Sequence, residues 1–286
     1  MKGAGMFVSD LDGTLLTSDR RLAAVDVAAL AELRRHGVRV VLATGRSEHS
    51  LARQLQLLGL AREKASMPID YLIFSTGAGV SLFSARTPLR SLTLSGAALA
   101  GALDLLDRLG IDYMVHRPIP HTAHFLFRRN GGDNPDFTRR LELYADFAQP
   151  FSRQALDSFG GATEVVAIVP ASGGHEKAAR VAALLNECSV VKATSPLDGE
   201  SLWIEIFAPT VSKSGAAAWL ASCCGIAREE VCAVGNDYND EDLLSWAGQA
   251  YVVGNAPLSL RRRFATVADN DHGGVAEAAA RWLAGR

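Results

Sequence analysis

The chain has 286 residues, 48% of them hydrophobic and 21% charged, with a formal net charge of −2. This length suits one large or two medium domains with an ample core. Near-neutral charge argues against a nucleic-acid or anionic-membrane surface, and no stretch approaches the roughly 20 uninterrupted apolar residues of a membrane span.

Met6-Phe7-Val8 is an apolar run of the kind that fills a buried parallel strand, and it is followed by Asp10 and Asp12, one residue apart, and then Gly13. Two acids at a strand end bring negative charge to the carboxyl edge of a sheet, where open α/β folds bind ligands. No signal peptide is expected, because these acids cut the apolar run short, and cytoplasm is the expected compartment. Leu22, Val25, Ala29, Leu30 and Leu33 recur at helical spacing, with Gly37 where a helix C-terminal glycine belongs. Val38 to Leu42 is a β-branched run that reads as a second buried strand and ends in Ala43-Thr44-Gly45-Arg46. Ser47 can cap a helix whose apolar side is Leu51, Leu55 and Leu58, and Tyr71 to Phe74 makes a third strand ahead of Ser75 to Gly79. This alternation is a doubly wound start.

From about Thr87 the pattern changes. A helix with Leu99, Leu103 and Leu106 is followed by a strand near His124 to Phe127, a loop from Gly131 to Pro135, and a helix around Phe137 to Phe147. A strand over Glu164 to Val169, a helix with Ala178, Val181, Leu184 and Leu185, and strands at Val190 to Ala193 and Leu202 to Phe207 complete the stretch. The expected organisation is an inserted α+β cap over 86–196 within a Rossmann-like, doubly wound parallel-sheet core of 1–85 and 197–286.

The doubly wound pattern then resumes. Ser212 can cap a helix that opens with Lys213, and Val231 to Val234 is a short buried strand ending in Gly235-Asn236-Asp237-Tyr238-Asn239-Asp240. Asp240 opens a helix through Leu243 and Leu244, Ala250 to Val253 reads as a strand ending at Gly254-Asn255, and a last helix runs from Gly274 to about Leu283. The four cysteines, Cys188, Cys223, Cys224 and Cys232, form no C-x-x-C pair and read as small core residues in a reducing compartment.

Polar clusters thus sit at Asp10/Asp12, at Thr44-Gly45-Arg46, at Lys213 and at Asn236/Asn239/Asp240, all at strand ends or helix starts. In a doubly wound sheet such ends share one edge. Clustered carboxyl and amide oxygens suit Mg²⁺, while a hydroxyl, backbone N–H groups and an ammonium suit the oxygens of a phosphoryl group. One Asp is then free to act as a nucleophile, with its neighbour as proton donor.

In order and context, Asp10-x-Asp12-Gly13-Thr14, Thr44, Lys213 and the G-N-D-Y-N-D run resemble the four motifs of the haloacid dehalogenase-like (HAD) phosphohydrolases. The insertion between the second and third motifs looks like the cap of the Cof-type branch, which includes sugar-phosphate and sucrose-phosphate phosphatases. The resemblance implies that Asp10 attacks phosphorus and becomes a transient phosphoaspartate, and that Asp12 protonates the leaving oxygen and then deprotonates water. It implies that Thr44 and the Gly45 N–H hold the phosphoryl group, with Lys213 offsetting charge. Mg²⁺ would be bound by the Asp10 carboxylate, the Asp12 backbone carbonyl and the first acidic position of the fourth motif. Here Asn236 stands at that position, a neutral ligand that predicts weaker metal affinity, with Asp237 or Asp240 as alternatives. Asn239, Arg46 and Asn255 are further candidates for substrate contact.

Other chemistries fail on particular residues. A calcium loop would need Gly at Leu15 and Glu at Arg21, Leu82 occupies the third glycine position of a dinucleotide fingerprint, and there is no Walker lysine motif. His116, Arg117, His121 and His124 cluster around two prolines but have no third nearby ligand for a metal, so a solvated or substrate-facing loop is expected. The reading is a Mg²⁺-dependent phosphatase of a small phosphorylated metabolite, a sugar or polyol phosphate. The alternatives are a phosphosugar-binding protein with impaired catalysis and a sugar phosphotransferase.

Overall fold

The structure is a computed structural model that describes residues 5–59, 67–85, 87–195 and 197–286. It divides into two compact units, one of residues 1–46, 50–90 and 212–286, the other of residues 47–49 and 91–211. The boundaries expected at residues 86 and 196 fall outside the described residues.

The first unit is built on strands β1 (Met6–Asp10), β2 (Arg39–Ala43), β3 (Tyr71–Phe74), β4 (Gly79–Leu82), β5 (Pro88–Ser91), β12 (Val231–Gly235), β13 (Gln249–Val252) and β14 (Ala265–Thr266). Its helices are α1 (Ala24–Arg35), α2 (Glu48–Leu57), α7 (Lys213–Cys223), α8 (Glu241–Trp246), α9 (Leu258–Arg261) and α10 (Gly274–Gly285). The strand order is β14-β13-β12-β1-β2-β3-β4-β5. Neighbours from β14 to β3 run parallel, and β4 returns antiparallel to β3. Every residue of β1 is buried, as a central strand covered on both faces requires. Met6 and Val8 join Val41, Ile73, Ala217, Leu220 and Ala233 in one apolar cluster, in which each side chain larger than alanine is worth roughly 1.5–3 kcal/mol on burial.

Chain order reverses at β1, which has β2 on one side and β12 on the other. The register sets Asp10 opposite Ala43 and Ser9 opposite Val234, so these three strands finish nearly level. This is the topological switch point, where doubly wound sheets bind their ligands.

The second unit contains β6 (Asp112–His116), β7 (Phe125–Arg128), β8 (Ala148–Pro150), β9 (Glu164–Val169), β10 (Ser189–Thr194) and β11 (Leu202–Phe207), with α3 (Gly96–Arg108), α4 (Pro135–Leu143), α5 (Arg153–Phe159) and α6 (Ala171–Leu184). Its strand order is β10-β11-β9-β6-β7-β8, antiparallel except for the parallel pair β7/β8. Helices α3 and α6 pack on this sheet. Met114, Phe125, Val166 and Ile168 form a cluster with Phe137 of α4. The sheet takes in Leu202–Phe207, beyond the expected end at 196, because β11 pairs along its length with β9 and β10.

Several elements leave little mark in the sequence. The hairpin return β4 follows a turn whose left-handed residues are Ser75 and Thr76 rather than glycine or asparagine alone, so the usual hairpin signal is missing. Strand β6 reads Asp-Tyr-Met-Val-His, with acid and imidazole at its ends, yet all five residues are buried. The helix expected through Phe147 stops at Leu143, followed by a tight turn and short β8. At its start Asn134 accepts from the Phe137 N–H at 3.2 Å, with Pro135 in the first turn.

Candidate functional site

Strand β1 delivers Asp10 to the switch point with only 3% of its surface exposed. Across the sheet edge, the Ser212 hydroxyl accepts from the Gly215 N–H at 2.9 Å and caps α7, which sets Lys213 at the first helical position, fully buried. Lys213 Nζ lies 2.6 Å from Asp10 Oδ1 and 2.6 Å from Asp240 Oδ1, joining residues 203 positions apart in sequence. The second oxygen of Asp240 accepts from the backbone N–H groups of Asn236 (2.9 Å) and Asp237 (3.3 Å). The sequence points to Asp240 as a metal ligand and as the opening of a helix. It is wholly buried behind Lys213, with one oxygen accepting from Lys213 and the other from backbone N–H groups, and α8 begins one residue later.

One ammonium therefore serves two buried carboxylates. Burial, reinforced by the Asp240 carboxylate and opposed by Lys213, pushes the Asp10 carboxyl up to about 7. For Lys213, burial works against the charged form, but the two carboxylates outweigh it and its pKa is raised. A site with an uncompensated buried carboxylate is one that a bound cation would relieve.

The segment after β1 is shaped by close approach. Gly13 has φ +72°, and a Cβ there would stand 2.6 Å from Asn236 Nδ2, so both conformation and space call for glycine. Thr14 Oγ1 donates to Asn236 Oδ1 at 3.1 Å, and Asn255 Nδ2 donates to the Gly13 carbonyl at 2.8 Å. Asn255, a candidate for substrate contact, thus supports the loop. The Asp12 side chain turns outward, where Arg46 grips both its oxygens, Nε at 2.7 Å and Nη2 at 2.6 Å.

At the end of β2, Thr44 is 1% exposed and its Oγ1 accepts from the Arg46 N–H at 3.1 Å. The turn after β3 holds this loop from behind, with Ser75 N donating to the Arg46 carbonyl and Thr76 N to that of Thr44. Ser75 and Thr76 sit at φ +47° and +56°, conformations that cost on the order of 1–3 kcal/mol each and collect at functional sites. Gly77, at φ +103°, would set a Cβ 2.2 Å from the Ser212 carbonyl, so the turn lies directly against the start of α7. A Cβ on Gly45 would be 3.6 Å from Thr76 Oγ1 and 3.9 Å from Asn239 Nδ2, which puts Gly45, Thr76 and Asn239 together. Thr76 is not among the residues the sequence points to, because nothing in Ser-Thr-Gly announces a left-handed threonine.

The first unit therefore brings together Asp10, Asp12, Thr44, Gly45, Arg46, Lys213, Asn236, Asn239 and Asp240. His116, Arg117, His121 and His124 belong to the second unit. His121 and His124 are exposed, but His116 is 6% exposed, not part of a solvated loop. Among the described residues no group of three or more His, Cys, Asp or Glu side chains could hold a metal. An oxygen set of one carboxylate (Asp10), one amide (Asn236) and one backbone carbonyl (Asp12) is nonetheless the type that a hard cation takes, with water filling the rest. All four cysteines are free. No described helix is long and apolar enough to cross a membrane.

The profile of the haloacid dehalogenase-like hydrolase family matches residues 7–278. The fold is similar to that of a phosphatase of the haloalkanoate dehalogenase superfamily from Bacteroides thetaiotaomicron, with TM-score 0.78 and 17% identity over 98% of this chain and 95% of that one. A subclass IIB sugar phosphatase superposes with TM-score 0.73 and 17% identity over 98% of this chain and 99% of that chain. A haloacid dehalogenase-like hydrolase from B. subtilis gives TM-score 0.73 and 21% identity over 96% and 99% of the two chains.

Proposed function

The chain belongs to the haloacid dehalogenase-like hydrolase family, and from that premise we propose that it is a Mg²⁺-dependent phosphatase, hydrolysing a small phosphorylated metabolite of the sugar or polyol class through a phosphoaspartate on Asp10. The observation that carries the reading is the buried Asp10–Lys213–Asp240 arrangement at the switch point, with Lys213 Nζ 2.6 Å from both carboxylates.

In this reading the Asp10 carboxylate attacks phosphorus as the ester oxygen leaves, and Asp12 gives that oxygen its proton. Water then attacks the phosphoaspartate, Asp12 takes its proton, and inorganic phosphate departs with Asp10 restored. Thr44 Oγ1 and the Gly45 N–H hold the transferring group, and Asn239, beside Gly45, extends that cradle. Lys213 offsets charge on Asp10, and Asp240 positions Lys213 and the loop at Asn236. Mg²⁺, held by Asp10, the Asp12 carbonyl and Asn236, would supply positive charge against the phosphoryl oxygens. Arg46 grips Asp12 through both oxygens, so it has to yield before that carboxyl can face a leaving group. The second unit is the inserted module to which we assign substrate choice.

Phosphate release from a broad phosphate-ester panel, with and without Mg²⁺, tests the reading; no release from any ester would sink it. A second reading, a phosphosugar-binding protein with impaired catalysis, draws on the neutral Asn236 in the donor set. A near-inactive wild type with a large gain in Asn236→Asp would favour it.

A further inference from the structure

At the edge of the first unit's sheet opposite Asp10, the chain forms a cleft that the proposed chemistry does not use. Its volume is about 380 Å³, within the range of small-molecule sites. The last turn of α1 contributes Arg34 and Arg35 to its walls, the turn that follows contributes Gly37, the start of β2 contributes Arg39, and the approach to β3 contributes Asp70. Strand β2 runs from Arg39 at the cleft to Ala43 beside Asp10, so the two places are about 13 Å apart along the strand.

The lining carries three guanidinium groups against one carboxylate. That carboxylate is already engaged: Asp70 Oδ2 accepts from the Val40 N–H at 2.9 Å, and Oδ1 lies 3.0 Å from Arg34 Nη2. Arg35 pairs with Glu32 at an exposed position, where such a pair contributes little. Arg39 is exposed, and its side chain makes no hydrogen bond or ion pair among the described residues. Its backbone is fixed, with the N–H donating to the Gly5 carbonyl at 2.8 Å.

Cations in the last turn of a helix offset its dipole, which accounts for Arg34 and Arg35. Arg39 stands on a strand, beyond the reach of that account. Gly37 has φ +76°, and nothing lies within 4 Å of where its Cβ would be, so this wall of the cleft is clear. An excess of two positive charges matches a phosphate group, which carries about −1.5 to −2 near neutral pH. The planar guanidinium fork meets phosphate oxygens with two N–H bonds at once. A metal cation would be repelled. A nucleic acid needs a broad basic surface, and a chain of net charge −2 does not offer one.

We propose that this cleft is a second phosphate site, separate from the one at Thr44. It takes inorganic phosphate or the phosphate group of a small monoester, with Arg35 and Arg39 donating to its oxygens and Arg34, held by Asp70, adding charge. The proposal does not rest on the phosphatase reading.

The test is protection of arginines from phenylglyoxal in EDTA, with each modified residue located by tandem mass spectrometry. Inorganic phosphate or adenosine 5′-monophosphate should slow modification of Arg35 and Arg39 about fivefold, because bound phosphate occupies their N–H groups. Arg261, exposed elsewhere on the first unit, should react at an unchanged rate. Protection by inorganic phosphate alone or by both probes shows that the ion suffices, and protection by the nucleotide alone assigns the site to an ester. In Arg39→Ser, which removes a side chain with no partner to lose, protection of Arg35 should disappear. The proposal is overturned if neither probe protects, if Arg261 is slowed equally, if succinate protects as well as phosphate, if only an oligonucleotide protects, or if Arg35 stays protected in Arg39→Ser. Arg46 is read in the same experiment and reports the Asp10 site, so failure there and failure at the cleft are distinguishable.

Discussion

The two units treat buried charge in opposite ways. At the end of β1, Asp10, Lys213 and Asp240 are nearly sealed from water and bonded to one another, with backbone amides taking up the remaining oxygen of Asp240. On the second unit's sheet, Glu164 is 4% exposed, and His116 Nε2 and Arg140 Nε are buried without a hydrogen-bond partner among the described residues. The first pattern is pre-organised, as the electrostatic stabilisation proposed for it demands. The second leaves buried polar groups unpaired, which costs folding free energy.

The sharpest way to break this contrast is Asp10→Asn, which removes the proposed nucleophile. Turnover should fall on the order of 10⁴-fold or more, while the metal-free variant should be more stable than wild type at high pH. The sign follows from the raised Asp10 pKa: the folded state holds a proton that the unfolded state has lost, so this group's contribution falls as pH rises from about 4 through about 7. Phosphate release and thermal melts at pH 6 and 9 check both halves.

Lys213→Met comes next. It leaves two buried carboxylates facing each other, and breaking such a cluster costs about 3–5 kcal/mol, readable as a shift in urea midpoint. A shift below about 1 kcal/mol would mean that the bonded cluster does not hold the sheet edge together.

For the unbonded cluster the lever is acid. His116 is held neutral in the folded state, with a pKa near 3, so below about pH 6.5 the unfolded state gains a proton that the folded state refuses. Its contribution to stability should fall by about 2 kcal/mol between pH 6.5 and 5. His116→Gln removes that term, so the stability of the variant relative to wild type should improve as pH falls. A difference that does not change with pH would contradict the buried, neutral imidazole.

The smallest expected effect lies at Asn236→Asp. Adding a carboxylate to the donor set should tighten Mg²⁺ by about tenfold, measured as the metal concentration for half-maximal turnover.

The bonded site is largely legible in the sequence because each of its parts ends a strand or starts a helix, and the doubly wound rule gathers such ends. Asp10, Thr44, Lys213 and Asn236 are all found that way. What stays hidden is the division of labour within it. Only the folded chain shows Asp240 behind Lys213 and Thr76 strained beneath Thr44, because these depend on side-chain direction and on φ, which spacing does not encode. The face of the second unit is hidden for a related reason. In the sequence His116 is visible only as one of several histidines near prolines, and Glu164 only as the first residue of a strand. Their pairing follows from the β6/β9 register, which links residues 48 positions apart and leaves no local mark.

The central claim, that Asp10 carries the phosphoryl group, is tested most directly by acid-quenching the enzyme during turnover with Mg²⁺ and a hydrolysed phosphate ester and mapping phosphorylation by peptide mass spectrometry. The account predicts one phosphoryl group on the peptide containing Asp10, absent in Asp10→Asn. Steady phosphate release by Asp10→Asn at the wild-type rate, with no phosphorylated peptide, would contradict it.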